Sequence, residues 1–279
     1  MQDASPERSQ PDAAALRGTN QSGMRDHNER LVLSLVRRHG ALAKSDIARM
    51  TGLSAQTVSV IMRQLEQDGL LERGEPVRGK VGQPSVPMSL AAEGAFFFGL
   101  KVGRRSADLV LTDFRGRMRA ARRRVYRYPS PDAVVGFVRE AVPALAGELP
   151  PALRERIMGM GIAMPFQLWN WVSVLGAPQA EMDAWRSRDI GAELGEALGL
   201  PVYVQNDATS ACGAELIFGT GERPKDFLYF YFGTFIGGGL VLNGQVFLGR
   251  SGNAGGVGPL PVPGPDGRIR RLFASASLS

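Results

Sequence analysis

Along the first ninety residues the apolar positions recur at helical intervals; beyond them they alternate in short runs. From Asn28 onward Leu31, Val32, Leu35 and Val36 form one apolar stripe, and Gly40 follows Arg37, Arg38 and His39 as a helix stop. A second helix is predicted from Ser45, read as its N-cap, to just before Thr51-Gly52. A third is capped by Ser54, carries Val58, Ile61, Met62 and Leu65 at i, i+3, i+4 and i+7, and ends at Gly69. Leu70-Leu71 then leads into residues 72–89, with glycines at 74, 79 and 82 and prolines at 76, 84 and 87, followed by apolar Met88 and Leu90. This is the pattern of a two-stranded hairpin, the wing of a winged helix.

Past Glu93-Gly94 the pattern predicts strands at 96–102, 107–112 and 118–126, the last two joined around Arg115-Gly116. A helix at 132–146 follows, then a strand at 157–164 stopped by Pro165, a helix at 190–198, a buried strand at 202–205 and a helix at 208–218. A strand at 227–232 precedes a hairpin that turns at Asn243-Gly244 between 239–242 and 245–247. Three strands followed by alternating helices and strands predict an α/β domain with a mixed sheet. Residues 1–23, rich in Ala, Ser, Pro, Gln and Asp without apolar periodicity, read as a disordered tail. The expected organisation is therefore a tail over 1–23, a winged helix-turn-helix domain over 24–92 and an α/β domain over 93–279, with no internal repeat.

The spacing of Ala48, Gly52, Leu53, Val58 and Ile61 is the most specific signal, because each position carries a separate physical demand. Ala48 is small where two helices cross, Gly52 turns with positive φ, and Leu53, Val58 and Ile61 plug the shared core. The third helix then presents Ala55, Gln56, Thr57, Ser59, Val60, Arg63 and Gln64 on its open face, with Ser54 at its start. Gln pairs with adenine, Arg with guanine or phosphate, and Thr or Ala methyls with thymine, so double-stranded DNA is the expected partner. A three-helix unit serving protein contacts is the competing reading.

Composition adds limits rather than direction. At 279 residues, 44% apolar and 22% charged, the chain has room for one large and one small domain. It has no apolar run of about 18 residues and no basic-then-apolar leader, which points to the cytoplasm and away from a membrane. Cys212 is the sole cysteine and reads as a small buried thiol. The net charge of +6 permits an anionic partner without demanding one.

Four further motifs carry chemistry. In the wing, Arg78 and Lys80 offer charge to phosphates and Gln83 lies beside them, against the competing reading of a plain exposed turn. Seven arginines between 115 and 127, with no acid among them, fit a hairpin with its charges in solvent. Residues 232–239, which include Gly237 and Gly238, read as a glycine-rich turn able to cradle a phosphate. Asn206-Asp207 at a strand end could meet a sugar hydroxyl or simply cap the next helix.

With the hairpin's Gly82-Gln83-Pro84, Gly161-Ile162-Ala163-Met164-Pro165, Asn206-Asp207-Ala208, Gly233 to Gly239, Leu242-Asn243-Gly244 and Gly252-Asn253-Ala254-Gly255, residues 28–262 resemble the ROK family of sugar-responsive repressors and sugar kinases. The resemblance implies an actin-like, ribonuclease-H-like fold behind a winged helix in the repressor branch, and a sugar site that includes Asn206, Asp207, Gly237, Gly238 and Asn253. Family kinases carry an Asp-x-Gly-Gly-Thr phosphate loop where this chain has Lys101-Val102-Gly103-Arg104-Arg105. A lysine and two arginines there remove the magnesium-side carboxylate and the room for a triphosphate, so no catalysis is expected. Gly256 and Pro259 stand where the family has a sugar-binding Glu and a zinc-binding His, so no metal or cofactor is expected.

Family members typically continue for about another hundred residues, so the chain is expected to lack one wall of its cleft and helices that help pair subunits into a homodimer. The function so implied is a sequence-specific DNA-binding regulator, a repressor of carbohydrate-metabolism genes, tuned by a sugar or sugar derivative. The alternative is an ATP-dependent hexose kinase with an appended DNA-binding head, which only Asn206-Asp207 and Gly237-Gly238-Gly239 support.

Overall fold

In the computed structural model, which describes residues 21–77, 85–219, 224–233, 236–264 and 266–272, the chain divides between Leu90 and Ala91 into two units. The first opens with α1 (Gln21–His39), which begins well before Asn28, so residues 21–23, read as tail, are helical. An apolar stripe fixes which face of a helix is buried, and here Val32 and Val36 are; it does not say how far a polar first turn extends. A short strand, β1 (Ala41–Leu42), was not foreseen. Next, α2 (Lys44–Thr51) starts before Ser45, and its N-cap is Ala43, which makes no side-chain cap bond. Ala43 is buried and its carbonyl accepts from the Asp46 and Ile47 amides, so packing rather than a hydroxyl sets this start.

Gly52 has φ +72° and its N–H donates to the Ala48 carbonyl at 2.9 Å, closing α2 in a conformation that costs other residues strain. The Ser54 hydroxyl accepts from the Thr57 amide at 3.1 Å and so caps α3 (Ala55–Gln67), which buries Val58, Ile61, Met62 and Leu65 as its spacing requires. Leu53 and Ala48 are only half-buried. At the other end Gly69, at φ +71°, donates to the Glu66 carbonyl and Leu70 to that of Leu65, a Schellman stop. β2 (Leu71–Arg73) and β3 (Met88–Leu90) are the wing strands, in the antiparallel order β1-β3-β2, and a Val77–Ser85 bridge extends the hairpin. The wing-tip residues Arg78, Lys80 and Gln83 lie outside the described residues.

The second unit is built on β4 (Phe96–Val102), β5 (Ser106–Asp113) and β6 (Met118–Val125), followed by α4 (Pro131–Gly147), a single turn α5 (Pro151–Arg154) and β7 (Ile157–Met164). Short helices α6 (Val172–Leu175) and α7 (Gln179–Ser187) precede α8 (Ile190–Leu198) and β8 (Val202–Asn206). The pattern assigns no element to residues 165–189: apolar residues are frequent there, but Pro165, Gly176 and Pro178 break them into runs too short for a periodic stripe. The five strands lie in the order β6-β5-β4-β7-β8, antiparallel from β4 outward through β5 to β6 and parallel through β7 to β8. One face of this sheet, with Phe96, Phe98, Leu100, Val102, Leu109 and Leu111, packs on Val134, Phe137, Val138 and Leu145 of α4 and on Ile190 and Leu194 of α8.

From β8 the chain enters α9 (Asp207–Phe218) and a three-stranded antiparallel sheet of β9 (Phe227–Phe232), β10 (Ile236–Leu242) and β11 (Gln245–Phe247). A small ribbon of β12 (Pro261–Pro263) and β13 (Ile269–Arg271) closes the described chain. Gly237 and Gly238 therefore lie in a strand, not in the turn the sequence suggested, and Gly239 continues that strand as predicted. Their missing side chains are used by neighbours: a Cβ at Gly239 would sit 2.2 Å from the Cys212 Cβ, and one at Gly238 would sit 2.4 Å from the Tyr229 carbonyl oxygen. Among the described residues no helix is long and apolar enough to cross a membrane.

The arginine-rich strand β6 is largely neutralised at its surface. Arg122 meets Glu148 and Arg124 meets Glu140, both at 2.7 Å, Arg123 pairs with Asp108, and Arg119 lies 3.8 Å from Glu93. Such exposed pairs are each worth under about 1 kcal/mol, but they cancel the charge.

Ile47 is fully buried, whereas Met50 on the same helix is exposed. Ile47→Ala is expected to cost about 2–5 kcal/mol and Met50→Ala under about 0.5 kcal/mol, read as shifts of the urea midpoint of the helical circular dichroism signal.

Candidate functional site

The first candidate surface is the open side of α3. Ala55, Gln56, Val60 and Arg63 are exposed, and Arg63 has no ion-pair partner among the described residues. The other predicted contacts are partly committed inside the unit. Thr57 is half-buried with its hydroxyl 2.8 Å from that of Ser54, Ser59 is half-buried, and Gln64 donates to Asp68 at 2.9 Å. The side chains that stand clear thus narrow to Gln56, Val60 and Arg63, flanked by Ser54 and Ala55.

The second is a cleft of about 630 Å³ in the second unit. Its floor is the junction of β8 and α9. The Asn206 side-chain oxygen accepts from the Ala208 and Thr209 amides at 3.0 and 3.1 Å, so Asn206 caps α9 and also lines the cleft. The cap reading holds, and it is compatible with a place on the cleft wall, because an N-cap uses the oxygen and not the amide nitrogen. Asp207 accepts from the Ala208 amide at 2.9 Å. Burial pushes its carboxyl above the ordinary value of 3.8, while the hydrogen bond and the charge of Lys101 act the other way.

Across from Asp207 stands the turn between β4 and β5. Lys101 reaches the cleft and donates to the Tyr231 hydroxyl at 3.3 Å, with its ammonium 6.0 Å from that ring's centre. Gly103 and Arg104 also line the cleft. Three bonds fix this turn: the Gly103 amide to the Ser106 carbonyl, the Tyr126 hydroxyl to the Gly103 carbonyl, both at 2.8 Å, and the Tyr126 amide to the Arg105 carbonyl at 3.0 Å. Burial raises the Tyr126 hydroxyl far above the usual phenol range, so it stays a donor.

The remaining wall comes from Phe166, Gln167 and Trp171 on one side and Asn253, Gly255 and Gly256 on the other, with Gly237 and Gly238 below. Gln167 holds φ +54°, a conformation uncommon outside glycine. Gly255 presses on β10, where a Cβ would lie 2.3 Å from the Gly238 carbonyl oxygen. At Gly256, where the resemblance implies a glutamate, a Cβ would lie 3.1 Å from the Asn253 side-chain nitrogen, so Asn253 occupies that space. The five residues expected at the ligand site, Asn206, Asp207, Gly237, Gly238 and Asn253, therefore line one cleft. Lys101, Arg104, Trp171 and Tyr231 were not named as part of it; only the lysine and arginine carried a sequence signal, as departures from the phosphate loop. Among the described residues no three His, Cys, Asp or Glu side chains gather as a metal group. Cys212 is fully buried and burial raises its thiol, which leaves it unreactive.

The protein-family model described as ROK family matches residues 97–269, and a second, described as winged helix-turn-helix DNA-binding, matches residues 25–72. The xylose repressor of Bacillus subtilis is 21% identical over 243 residues, covering 87% of this chain and 62% of the repressor. A transcriptional regulator of Mycobacterium tuberculosis is 30% identical over 240 residues, 83% of this chain and 52% of that protein. The chain thus spans about half to three-fifths of the length of these relatives. The crystal structure of a ROK family transcriptional regulator, a homologue of the Escherichia coli MLC protein, superposes with a TM-score of 0.63 at 22% identity, over 90% of this chain and 64% of that one. At that identity it establishes the fold: an actin-like, ribonuclease-H-like domain behind a winged helix.

Two measurements check this geometry. Gly239→Ala forces a Cβ into Cys212 and is expected to destabilise the chain by about 1–3 kcal/mol, seen as a lower Tm. Asp207 has a raised pKa, so its burial costs nothing while the carboxyl is protonated in both states and an increasing amount once pH rises past 3.8. Asp207→Asn is therefore expected to raise the Tm at pH 7.5 and to leave it nearly unchanged below pH 3.8.

Proposed function

The chain belongs to the ROK family, and from that premise we propose that it is a sequence-specific DNA-binding regulator, a repressor of carbohydrate-metabolism genes whose grip on DNA a sugar controls. The observation that carries this reading is the match of residues 25–72 to a DNA-binding winged helix whose third helix exposes Gln56, Val60 and Arg63. In this reading α3 enters the major groove and the wing with Arg78, Lys80 and Gln83 follows the backbone or the minor groove. Two copies pair as a homodimer on two half-sites in the cytoplasm, and sugar in the cleft shifts the relative aim of the paired reading heads.

The α/β domain acts here as a sensor, not an enzyme. The names of the relatives favour this, as does the chemistry of the cleft, where Asp207 is the sole carboxylate among the described lining residues and Lys101, at the end of β4, and Arg104, in the turn after it, stand where a phosphate donor would lie. ATP-dependent phosphorylation of any hexose would reverse this part of the reading.

The test is fluorescence anisotropy on DNA from upstream of the chain's own gene and on scrambled DNA, each at two salt concentrations. Preference for the upstream DNA that survives the higher salt is expected; equal, salt-sensitive binding to both would overturn it. Gln56→Ala is expected to remove about 1–3 kcal/mol of that preference, whereas loss of a phosphate contact would weaken both DNAs alike.

A further inference from the structure

Among the described side chains that line the cleft only three carry charge: Lys101, Arg104 and Asp207. Most arginines of the neighbouring strand β6 are answered by carboxylates, as Arg122 is by Glu148, Arg123 by Asp108 and Arg124 by Glu140. Neither cation of the cleft makes an ion pair within 4 Å among the described residues. Arg104 has no hydrogen-bond or ion-pair partner among the described residues. Lys101 has one hydrogen bond there, to a neutral phenol, with Asp207 as its counter-charge. The cleft therefore keeps an excess positive charge, and in a concave site with protein walls that charge concentrates anions.

The cations are also held in place. Lys101 sits in the middle of the sheet, on a strand paired on both sides, with Asp108 opposite on β5 and Ala163 opposite on β7. Arg104 rides on the three-residue connection that Tyr126 and Ser106 fix from beneath, and Arg105 bonds the Arg127 carbonyl and so faces away from the task. A backbone fixed in advance lowers the ordering cost of each contact made by the side chains it carries. Elsewhere the cleft offers hydroxyl-sized partners: the Asp207 carboxylate, the amides of Asn206 and Asn253, and the faces of Trp171 and Tyr231 for an apolar ring side. The cleft thus combines cations that suit an anion with partners that suit a polyol.

We propose that the sugar recognised by this cleft is itself anionic, carrying a phosphate ester or a carboxylate that Lys101 and Arg104 hold while Asp207, Asn206 and Asn253 take its hydroxyls. This rests on the reading of the cleft as a carbohydrate sensor and names the class of carbohydrate.

Calorimetric titration of the full chain at constant ionic strength tests it, using matched sets of a neutral sugar, its phosphate ester and its acid: glucose, glucose 6-phosphate and glucuronate, with the corresponding fructose, xylose and N-acetylglucosamine sets. At least one anionic member is expected to bind tenfold or more tightly than its neutral parent, about 1.4 kcal/mol. The phosphate and acid arms show which anion is read. Lys101→Gln and Arg104→Gln, both confirmed to melt cooperatively, are each expected to bring that anion down to the level of its parent, and Asp207→Asn to weaken both. A neutral parent binding as well as its anions overturns the inference and leaves the carbohydrate reading intact. Inorganic phosphate or ATP matching the sugar anions overturns it too, since the site would then read an anion alone. If no member of any set binds while the chain still discriminates its DNA, the carbohydrate reading falls and takes the inference with it.

Discussion

The pleat of β4 is the constraint on which the second unit depends. Successive side chains of a strand point to opposite faces, so a register that sends Phe96, Phe98, Leu100 and Val102 into the core sends Lys101 the other way. The core residues are not free to slip, because β4 is flanked by antiparallel β5 and parallel β7 and lies over α4. A one-residue shift would bury an ammonium and expose four large apolar groups. The charge in the cleft is thus held by the same packing that stabilises the sheet.

Close backbone approach builds the other side of the cleft. The segment around Gly255 presses on Gly238 and α9 presses on Gly239 and Gly237, each contact allowed only because no Cβ intervenes. This brings the cap residue Asn206, the neighbouring Asp207 and the loop residue Asn253 to one wall, although they come from a strand end, a helix start and a surface turn. The half-buried carboxylate of Asp207 is part of the cost, since its burial disfavours the charged form.

Charge is unevenly compensated in this chain. The densest run of arginines is on β6, and most of it is cancelled locally by Glu140, Glu148, Glu93 and Asp108. The cations of the cleft and of the α3 face are fewer and less compensated. Counting residues in a run therefore does not locate uncompensated charge; pairing across elements does.

Much of this was legible along the chain because it is local. Helical spacing from Val58 to Leu65, the Ser54 cap, the Gly52 turn, the alternation of β4 and the Asn243-Gly244 hairpin each depend on a few neighbouring residues, and each stands in the structure. So do Asn206 and Asp207 as cleft residues. Where the pattern misled, packing was responsible: α2 starts on buried Ala43 rather than on Ser45, and Gly237 and Gly238 lie in a strand against which α9 and Gly255 pack closely. The sequence by itself determined most of the helices and strands and the lysine and arginines at the β4–β5 turn, since these follow from side-chain period and residue chemistry. Tertiary structure alone decided that Lys101, Arg104, Trp171 and Tyr231 meet Asp207 around one cleft, because that depends on strand order and on which charges find partners.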